Sequence, residues 1–546
     1  MLIRQDKKAV ILKLRNPGRV TIPIPTARMV THNGESLVAI PHRPDEVKVL
    51  RNLGFNAPDP MSYYYKWPGR FKPFAAQVET ANFLSMHDRA FCLNSMGLGK
   101  TVTSLWAYDY MRDAKMVKRV LVICPLSTME RTWADEIFRT FPHLDATVLY
   151  GTRERRLKLL AQPADVYIIN TDGIKTIKDA LAKRDDIDLI IVDEIAMFRN
   201  ASTERWKTLN EVCNKQKVRR IWALTGAPTP HEPTDAWAQC RIVCPANPDV
   251  PKYFSQFRDM VMKQITQFIW TPRPNAVEVV KKVMQPAVRF ALDDCIDLPE
   301  QTFVTRDVEM TKEQKEAYKH MLEKLTAEYE GGEVLAVNEA VKANKLVQIA
   351  CGVAYGKNGE YIHIPNEPRI EVLKELVEES EGKVIVFVPL TGVLEDVVTR
   401  LAKEIHKADG DNGIAEAVTQ RLTGQKYHHL KVAAVHGATP KAERDETFRN
   451  FQEKEFPHVI VANPGTMSHG LTLTAATTVI WYAPIHSNDI YEQACARVRR
   501  PGQTRTTVIA HIAGSDIERR IYTRLQKKQK LQGALLEIMK GIESDQ

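Results

Sequence analysis

The sequence predicts an α/β protein with two tandem parallel-sheet lobes, a small β-rich module in front of them and a helical region between them. Short apolar runs of strand type alternate with amphipathic helical segments twice along the chain, which is typical of parallel sheets. Long helical patterns interrupt this alternation and indicate the helical region. At 546 residues, the chain is also too long for one ordinary hydrophobic core.

We expect five regions, with boundaries where these patterns change. They are an accessory module at 1–70, a first lobe at 71–244, a helical inter-lobe segment at 245–366, a second lobe at 367–530 and a tail at 531–546. The strand-type runs of the first lobe are 120–124, 166–170, 189–192 and 221–224. Those of the second lobe are 384–388, 432–435, 459–462, 479–482 and 508–512.

Composition narrows the class of protein. The 76 Lys and Arg residues against 67 Asp and Glu give a net charge of +9, which suits a polyanionic partner, although a solvated surface explains it as well. No apolar run reaches the length of a membrane span, and the first residues lack the apolar stretch of a signal peptide. Among eight cysteines, only Cys240 and Cys244 are close in sequence, and no histidines lie near them at ligand spacing. We therefore expect no membrane partner, no structural zinc and a reducing compartment.

The module at 1–70 carries three strand-type runs, 9–14, 20–24 and 36–40, between turns that contain proline and glycine. Basic residues cluster near its start, and an aromatic run lies near its end, at Tyr63, Tyr64, Tyr65 and Trp67. Both features suit contact with nucleic acid. The cations could equally face solvent, and the rings could pack the module onto the first lobe. The sequence leaves these alternatives open.

The sequence NSMGLGKT at 94–101 follows a short apolar run and precedes a helical segment, which is the context of a phosphate-binding loop. The two glycines let backbone N–H groups turn toward a phosphate, the lysine can reach the β- and γ-phosphates, and the threonine hydroxyl can hold Mg²⁺. The usual pattern has glycine where Asn94 stands. The candidate nucleotide contacts are Met96, Gly97, Leu98, Gly99, Lys100 and Thr101.

Gln77 lies upstream of this loop, with Phe71 and Phe74 just before it. An amide can pair with both the donor and the acceptor on the edge of adenine, and an aromatic ring can stack on its face. Gln77 is therefore a candidate contact to the base. A glutamine that only starts a helix is the alternative interpretation.

Two acids, Asp193 and Glu194, close the strand-type run of LIIVDE. Functional residues of a parallel sheet gather beyond the carboxyl ends of its strands. Asp193 can hold Mg²⁺, partly through water, and Glu194 can polarise the attacking water, so that both are catalytic candidates with Lys100. After the next strand, Thr225 and Gly226 offer a hydroxyl and an exposed backbone that could sense the nucleotide.

Two further loops follow strand-type runs of the first lobe, PLSTMERTW after 120–124 and NTDG at 170–173. Their hydroxyl and amide groups suit the backbone phosphates of a nucleic acid. The candidates are Ser127, Thr128, Thr171 and Asp172. An ordinary loop is the alternative in each case.

The sequence YEQACARVRRPGQ at 491–503 is basic and helical in pattern. On a helix, the spacings place Gln493, Arg497 and Arg500 on one face. A guanidinium brought to a γ-phosphate stabilises the charge of phosphoryl transfer. The repeated α/β pattern, without a second GKT, suggests two RecA-like lobes with ATP at their cleft.

Four motifs, GLGKT, DEIAMFRN, LTGAPTPHEPTDAW and QACARVRRPGQ, occur in the order seen in superfamily-2 helicases. The chain most resembles the SWI/SNF-type ATPases, and among them the compact proteins encoded by bacteriophages. Two departures are visible. Where the family has DEAH this chain has DEIA, so that Ala196 replaces a histidine that links ATP hydrolysis to the next motif in many relatives. Asn463 and Pro464 stand where Ser and Thr are usual.

The resemblance implies roles for further residues. It adds Gln493 and Gly470 to the nucleotide contacts and makes Arg497 and Arg500 catalytic. The segment 285–301 resembles the family's connection between lobes, with Arg289 matching one of its arginines. The implied nucleic-acid contacts in the second lobe are Thr391, His436, Asn463 and Thr466.

The function that the resemblance implies is an ATP-driven translocase on double-stranded DNA, which uses Mg²⁺ and remodels forks or branched DNA or displaces bound protein. Lobe closure would bring Arg497 and Arg500 onto phosphates held by Lys100. A strand-separating helicase is the alternative within the superfamily, and an ATP-gated nucleic-acid clamp is the alternative from another class. We expect a monomer in the cytoplasm, or in the nucleus of a eukaryotic source, with DNA-replication or recombination proteins as further partners.

Overall fold

The computed structural model describes residues 1–32, 34–216, 220–266, 270–330, 336–355, 361–408, 432–467 and 472–526. The chain divides into two compact units, of which the first contains Met1–Cys295 and the second begins at Ile296. Each unit holds one large parallel sheet, so the predicted α/β class with two parallel-sheet lobes is confirmed. Within the described ranges, no helix combines the length and the apolar character needed to cross a membrane.

The first unit opens with the predicted β-rich module. Its elements are β1 (Leu2–Arg4), β2 (Ala9–Leu12), α1 (Gly18–Thr21), β3 (Arg28–His32), β4 (Glu35–Pro41), α2 (Pro44–Asn52) and α3 (Pro60–Tyr64). The strands form one antiparallel sheet in the order β1-β2-β4-β3. The predicted strand at 20–24 is wrong, because Val20 lies in α1. Pro23 and Pro25 lack the N–H groups that a strand ladder needs.

Part of the aromatic run packs the module onto the helix that follows the glycine loop. The rings of Tyr65 and Tyr110 meet edge to face with centroids 6.0 Å apart, and those of Trp67 and Trp106 do so at 5.5 Å. The Tyr65 hydroxyl donates to Asp109 at 2.6 Å. The packing alternative therefore holds for Tyr65 and Trp67.

The main sheet of the first unit has seven parallel strands with helices on both faces. These seven strands are β5 (Arg89–Cys92), β6 (Arg119–Cys124), β7 (Ala146–Val148), β8 (Val166–Asn170), β9 (Ile187–Asp193), β10 (Arg220–Leu224) and β13 (Ala287–Val288). Two further strands, β11 (Met262–Gln264) and β12 (Trp270–Pro272), form a separate hairpin. The helices are α4 (Ala75–Met86), α5 (Lys100–Asp113), α6 (Asp135–Thr140), α7 (Arg153–Ala161), α8 (Ile174–Ala182), α9 (Glu204–Asn210), α10 (Asp235–Val243), α11 (Phe254–Val261), α12 (Ala276–Val283) and α13 (Leu292–Cys295).

The strand order of this sheet is β13-β5-β10-β9-β6-β8-β7. Alternate residues of a strand enter different buried clusters. Leu121 and Ile123 of β6 belong to one cluster, and Val120 and Val122 belong to the other. Because both faces are covered, the strands are apolar almost throughout, which is why the sequence shows them as continuous apolar runs.

The main sheet of the second unit has six parallel strands in the order β14-β21-β20-β17-β19-β18 when its strands are numbered along the chain. The strands, with a β15-β16 hairpin, are β14 (Gln301–Asp307), β15 (Val353–Tyr355), β16 (Tyr361–His363), β17 (Lys383–Phe387), β18 (Val432–Val435), β19 (Val459–Ala462), β20 (Ala476–Trp481) and β21 (Thr507–Ala513). The helices are α14 (Lys312–Glu330), α15 (Ala336–Ala350), α16 (Glu367–Glu378), α17 (Thr391–Ala408), α18 (Lys441–Glu453) and α19 (Asn488–Cys495), and residues 516–526 are also helical.

The structure divides the predicted inter-lobe segment, 245–366, between the two units. Strand β13 pairs with β5 and extends the first sheet, whereas β14 pairs with β21 and extends the second. A short extended segment at a sheet edge satisfies backbone groups that would otherwise stay unpaired. Helical periodicity dominates this part of the sequence, and it conceals both edge strands.

A buried ion pair fixes the carboxyl edge of the second sheet. Arg369 of α16 contacts Glu518 at 2.6 Å, and both side chains are at most 1% exposed. The guanidinium also donates to the carbonyl oxygens of Tyr482, just after β20, and of Ile512 in β21. Glu518 accepts a hydrogen bond from the N–H of Gly514 at 2.8 Å. The pair therefore ties one helix to two adjacent strand ends.

We expect Glu518→Gln to destabilise the second unit by about 3–5 kcal/mol, because it leaves the buried Arg369 charge without its counter-charge. Calorimetric thermal unfolding measures this loss. Asp516→Asn is the matched control, since Asp516 lies two residues before Glu518 and forms an exposed ion pair with Arg519. The control should unfold close to the wild-type temperature, and equal losses in the two variants would contradict the assigned role.

Candidate active site

The loop between β5 and α5 has the backbone shape that a phosphate site needs. Gly97 and Gly99 have φ angles of 89° and 68°, in the left-handed region that favours glycine. A Cβ atom at Gly99 would lie 2.6 Å from Nε2 of Gln77, so a side chain does not fit there. Helix α5 begins at Lys100. The unpaired N–H groups of its first turn therefore lie beside the loop.

Asn94 occupies the position where the usual pattern has glycine, and its side chain fixes the start of the loop. The amide nitrogen donates to the hydroxyl of Thr80 in α4 at 2.8 Å. The amide oxygen accepts from the backbone N–H of Phe290, after β13, at 2.9 Å. A glycine would make neither bond, so the departure from the pattern is explained by packing.

Arg289, the residue before Phe290, also supports this loop. Its guanidinium donates to the carbonyl oxygen of Leu93 and, at 3.0 Å, to the hydroxyl of Ser95. The side chain is buried, and burial lowers the pKa of Arg289 to about 10, so that it stays cationic at neutral pH. Its charge is therefore held beside the loop, directly after the edge strand β13 of the first sheet.

Lys100 holds the inner side of the loop. Its ammonium donates to the carbonyl oxygens of Asn94 at 3.0 Å and of Ser95 at 3.4 Å. Burial lowers the pKa of Lys100, and the charge of Glu194 opposes that shift. A buried ammonium bonded to neutral carbonyl oxygens gains further stabilisation from an anion. The residues of this loop therefore fit a triphosphate.

Gln77 makes two hydrogen bonds within the protein. Its amide oxygen accepts from the N–H of Phe74 at 3.3 Å, which caps the start of α4. Its amide nitrogen donates to the carbonyl oxygen of Leu98 at 3.3 Å. This geometry matches the helix-start interpretation and adds a tie to the glycine loop. Contact with a base stays a prediction.

Asp193 ends β9, which is separated from β5 by the single strand β10. Its carboxylate accepts a hydrogen bond from the indole N–H of Trp133 at 3.0 Å. Burial raises the pKa of Asp193 to about 7, and the charge of Glu194 adds to the shift. A cation stabilises the charged form of such a carboxylate, and Thr101 in the first turn of α5 offers a hydroxyl. These residues fit the predicted magnesium site.

Glu194 has a φ angle of 54°, a left-handed conformation that is rare for a residue with a side chain. Its carboxylate accepts a hydrogen bond from the hydroxyl of Thr225 at 3.2 Å. The same Thr225 hydroxyl oxygen accepts from the N–H of Ala227 at 3.2 Å. Ala196, which replaces the histidine of the resembling family, is buried and offers no polar group. In this chain Glu194 itself forms the link to the loop after β10.

Gly226 lies directly against the glycine loop. A Cβ atom at this position would be 3.1 Å from Cγ and 3.4 Å from the backbone nitrogen of Met96. A side chain at this position would have to displace the Met96 side chain slightly, so glycine is favoured here by the close approach of two loops rather than by its backbone angles. The loop after β10 thus contacts the phosphate loop as well as the acid pair.

The structure corrects one expectation in the second unit. Helix α19 ends at Cys495, and residues 496–502 continue as turns, so Gln493, Arg497 and Arg500 do not share one helix face. Pro501 has no N–H for the carbonyl oxygen of Arg497 and disfavours a helical conformation at Arg500, so a regular helix does not extend over that residue. Gln493, within the helix, donates to Asp489 at 2.9 Å.

The two candidate arginines are held against residues 472–473. Arg500 donates to the carbonyl oxygen of Ala496 and to the hydroxyl of Thr472, both at 3.1 Å. Burial lowers the pKa of Arg500 to about 10, so it remains cationic at neutral pH. The carbonyl oxygen of Arg497 accepts from the N–H of Leu473 at 3.0 Å. Gly470, a predicted nucleotide contact, lies outside the described residues.

The predicted nucleic-acid contacts of the first unit differ in exposure. Ser127 is exposed, whereas Thr128 and Thr171 are buried. The Thr128 hydroxyl donates to the carbonyl oxygen of Pro125 at 3.0 Å. Asp172 forms an ion pair with Arg205 at 2.8 Å. Ser127 is thus the accessible residue of this group, and contact of these residues with nucleic acid stays a prediction.

Three of the corresponding residues in the second unit, His436, Asn463 and Thr466, follow β18 and β19 at the carboxyl edge of the sheet. The Asn463 amide donates to the carbonyl oxygen of Pro389, after β17, at 3.3 Å. The Thr466 hydroxyl donates to the carbonyl oxygen of Asn463 at 2.7 Å. Thr391 begins α17, which follows β17. These residues therefore gather at one edge, and their contact with nucleic acid stays a prediction.

The sequence reasoning did not identify Trp133 and Thr80 as parts of the site. Trp133 bonds to Asp193 from 60 positions away, and Thr80 bonds to Asn94 across 14 positions. No spacing rule connects these pairs, because each contact forms only when separate elements pack together. The quoted segment PLSTMERTW contains Trp133, but only its polar groups suggested a role.

Two family models match most of the chain. The model described as SNF2-related domain matches residues 77–351, and the model described as helicase conserved C-terminal domain matches residues 368–502. Protein p41 of Acyrthosiphon pisum secondary endosymbiont phage 1 is 24% identical over 494 residues, which cover 86% of this chain and 99% of p41. The phage protein and this chain thus correspond over nearly their full lengths.

Eukaryotic relatives are longer. The chromodomain-helicase-DNA-binding protein 1-like of Mus musculus is 26% identical over 84% of this chain and 50% of that protein. The ISWI chromatin-remodeling complex ATPase ISW1 of Saccharomyces cerevisiae is 24% identical over 85% of this chain and 40% of that protein. The chain therefore spans half or less of these two relatives. A solved Sulfolobus solfataricus SWI2/SNF2 ATPase core in complex with dsDNA is 20% identical, with 87% of this chain and 96% of that chain covered and a TM-score of 0.40.

We expect Arg289→Met to weaken nucleotide binding about tenfold, because it removes charge-assisted hydrogen bonds that hold the loop. Titration with a fluorescent ATP analogue measures the dissociation constant. Arg112→Met is the matched control, since Arg112 bonds to Asp165 near the other end of α5, about 18 Å along the helix from Lys100. An unchanged affinity in Arg289→Met, or an equal loss in both variants, would contradict the supporting role.

Proposed function

Since the chain belongs to the SNF2-related domain family and carries a helicase conserved C-terminal domain, we propose that it is an ATP-driven translocase on double-stranded DNA. The observation that supports ATP hydrolysis best is the loop at 94–101, which contains Lys100 and lies near Asp193 and Glu194. The buried groups there carry both signs of charge. These groups suit a ligand that combines negative charge with a bound cation, as a nucleoside triphosphate with Mg²⁺ does.

Each residue of the first unit has a distinct task in this proposal. Lys100 and the backbone N–H groups of the loop bind the β- and γ-phosphates. Thr101 and Asp193 hold Mg²⁺, which neutralises phosphate charge. Glu194, fixed by Thr225, orients the attacking water and accepts its proton. The strained backbone of Glu194 aims the carboxylate before ATP binds, so that little reorganisation is needed during the reaction.

Arg497 and Arg500 supply positive charge to the phosphoryl group as it is transferred. This role rests on their match to the motif of the resembling family. Both side chains are partly or wholly buried, which strengthens their electrostatic interaction with an anion. Gln493 and Gly470 complete the predicted nucleotide contacts of the second unit.

The DNA part of the proposal rests on relatives and on charge. The Mus musculus relative is named as a DNA-binding helicase and the Saccharomyces cerevisiae relative as a chromatin-remodeling ATPase. The net charge of +9 suits a phosphate backbone. Contact through phosphates makes movement independent of base sequence and sensitive to salt. We infer remodelling of forks or branched DNA, or displacement of bound protein, by a monomer that acts in the cytoplasm with replication or recombination proteins.

Substitution of the site tests ATP hydrolysis directly. We expect Lys100→Ala and Glu194→Gln to abolish duplex-stimulated ATP turnover, with Glu194→Gln still able to bind ATP. Arg500→Ala should lower the turnover rate about a thousandfold, because the arginine stabilises charge that appears in the transition state. A coupled assay of phosphate release measures these rates.

Two charged residues outside the site serve as controls for these variants. Glu204→Gln removes an exposed acid that pairs with Lys207, and Arg505→Ala removes an arginine that donates to the carbonyl oxygen of Glu381. Both should keep close to the wild-type rate. Turnover that persists in Glu194→Gln, or that falls equally in Arg500→Ala and Arg505→Ala, would argue against the proposed assignments.

A triplex assay separates movement along DNA from strand separation. We expect the protein to displace the third strand of a triplex with ATP, while a plain duplex stays paired, because a translocase follows the backbone without opening the helix. Release of a labelled strand on a gel gives the result. Separation of the plain duplex would favour the helicase alternative. DNA binding without steady-state ATP turnover would favour the ATP-gated clamp.

A further inference from the structure

A cavity of about 670 Å³ lies within the first unit, between the β-rich module and the end of α5. The module contributes Ala9 of β2 and Ile40 of β4, and α5 contributes Tyr110 and Asp113. Asp113 is about 20 Å along the helix from Lys100, so the cavity is separate from the ATP site. Its volume is in the range of pockets that hold small ligands.

Four exposed cations line the cavity, namely Lys7, Lys8, Arg28 and Arg43. In the part of the chain that the structure describes, none of them lies within ion-pair distance of a carboxylate. Nearby cations of the same module are paired instead, Arg4 with Asp6 and Lys13 with Glu35. Unpaired cations around one concave surface concentrate positive potential there. The ligand that fits them carries negative charge.

The backbone presents one of these cations in an unusual way. Lys8 has a φ angle of 45°, in the left-handed region. Its carbonyl oxygen accepts from the N–H of His42 at 2.8 Å, which holds this conformation. Its ammonium lies 5.5 Å from the centre of the Tyr64 ring. The left-handed conformation closes the short turn over Gln5–Lys7, where the N–H of Lys8 donates to the carbonyl oxygen of Gln5 at 3.2 Å, and the Lys8 side chain lies against the Tyr64 ring at the cavity.

Tyrosine rings form one wall of the cavity, and hydrogen bonds hold them. His42 lies with Nε2 2.8 Å from the carbonyl oxygen of Pro58, which can only accept, so Nε2 carries the proton. Nδ1 then accepts from the Tyr64 hydroxyl at 2.8 Å. The Tyr65 hydroxyl is held by its bond to Asp109. A fixed aromatic wall suits a planar ligand that stacks or packs against it.

Asp6 and Asp113 also line the site, and Asp6 is paired with Arg4, which leaves Asp113 as the acceptor for a ligand. The carboxylate of Asp113 is exposed, and it has no ion-pair partner among the residues that the structure describes. A carboxylate in a basic, aromatic cavity suits a ligand with both an anionic group and a hydrogen-bond donor. A nucleotide combines a phosphate, a planar base and, in cytosine, adenine and guanine, an exocyclic amino group. Inorganic phosphate is much smaller than the cavity and would leave the tyrosine wall without contact.

We propose that this cavity binds a nucleotide unit, with its phosphate on the lysine and arginine side chains and its base between the tyrosine wall and Asp113. The source of the unit is either an unpaired nucleotide of a nucleic-acid strand or a free nucleotide. This site goes beyond the proposed translocase, because duplex DNA and the ATP bound at Lys100 do not require it. A strand held there would direct the motor to DNA with an unpaired region.

The test uses the full chain without ATP and a short oligodeoxycytidine that carries 5-iododeoxycytidine and a fluorophore. Excess blunt duplex DNA occupies binding surfaces for duplex, and anisotropy measures the remaining oligonucleotide affinity. The double variant Lys8→Gln/Arg43→Gln should bind at least about tenfold more weakly, since two phosphate contacts are lost. Lys13→Gln, which removes a paired lysine of the same module, is the matched control and should bind as the wild type does.

Photo-crosslinking locates the contact. Crosslinks should map to peptides that contain Tyr64 or Lys8 and should disappear in the double variant. Asp113→Asn should reduce the preference for oligodeoxycytidine over oligothymidine, which a purely structural role of Asp113 would leave unchanged. Equal affinity in the double variant and Lys13→Gln, or crosslinks confined to other parts of the chain, would overturn the proposal.

Competition with free dCMP and with ATP distinguishes the two sources. Displacement of the oligonucleotide by either mononucleotide identifies a free-nucleotide site, and resistance to both identifies a strand site. ATP turnover on blunt duplex DNA by the wild-type protein tests the proposed translocase separately. Failure of that turnover leaves the cavity result standing, and failure of the cavity test leaves the translocase standing.

Discussion

The first unit depends on the hydrogen bonds that hold the glycine loop between α4 and an edge strand from far along the chain. Asn94 bonds to Thr80 on one side and to the backbone of Phe290 on the other. Arg289 completes the support through Leu93 and Ser95. Glycine-rich backbone has little rigidity of its own, so these side chains determine its shape. The strand that brings Arg289 there lies in the part of the sequence that looked like a connection.

Charge at the site follows from burial. Asp193 and Arg289 are buried and Lys100 is half-buried around one loop, and burial shifts the pKa of each group in the direction that favours its neutral form. Charged groups that lack full compensation make the empty protein less stable than it could be. A ligand that carries both phosphate charge and a divalent cation relieves this on both sides. Binding of such a ligand therefore removes part of the electrostatic cost that these charges impose on the empty protein.

Sequence reasoning predicted those features that depend on local pattern. The two parallel sheets followed from alternating apolar runs, and the glycine loop followed from its spacing and flanking elements. Tertiary packing decided the rest. Strand β13 has only two residues, and β14 is a largely exposed edge strand with mixed polar and apolar side chains. Trp133 reaches Asp193 only in the folded chain, and α19 ends at Cys495, before Arg497, despite a helical spacing. The alanine at position 196 indicated that the histidine link of many relatives is missing. The sequence did not indicate that Thr225 bonds directly to Glu194.

The contact between Gly226 and Met96 has a mechanical meaning. A Cβ atom at Gly226 would lie 3.4 Å from the backbone nitrogen of Met96 and 3.6 Å from the carbonyl oxygen of Asn94, so the two backbone segments lie close together. A shift of the phosphate loop at Met96 toward Gly226 therefore displaces the loop after β10, and the reverse also holds. The contact is steric, so it links the two segments without any charge or proton passing between them.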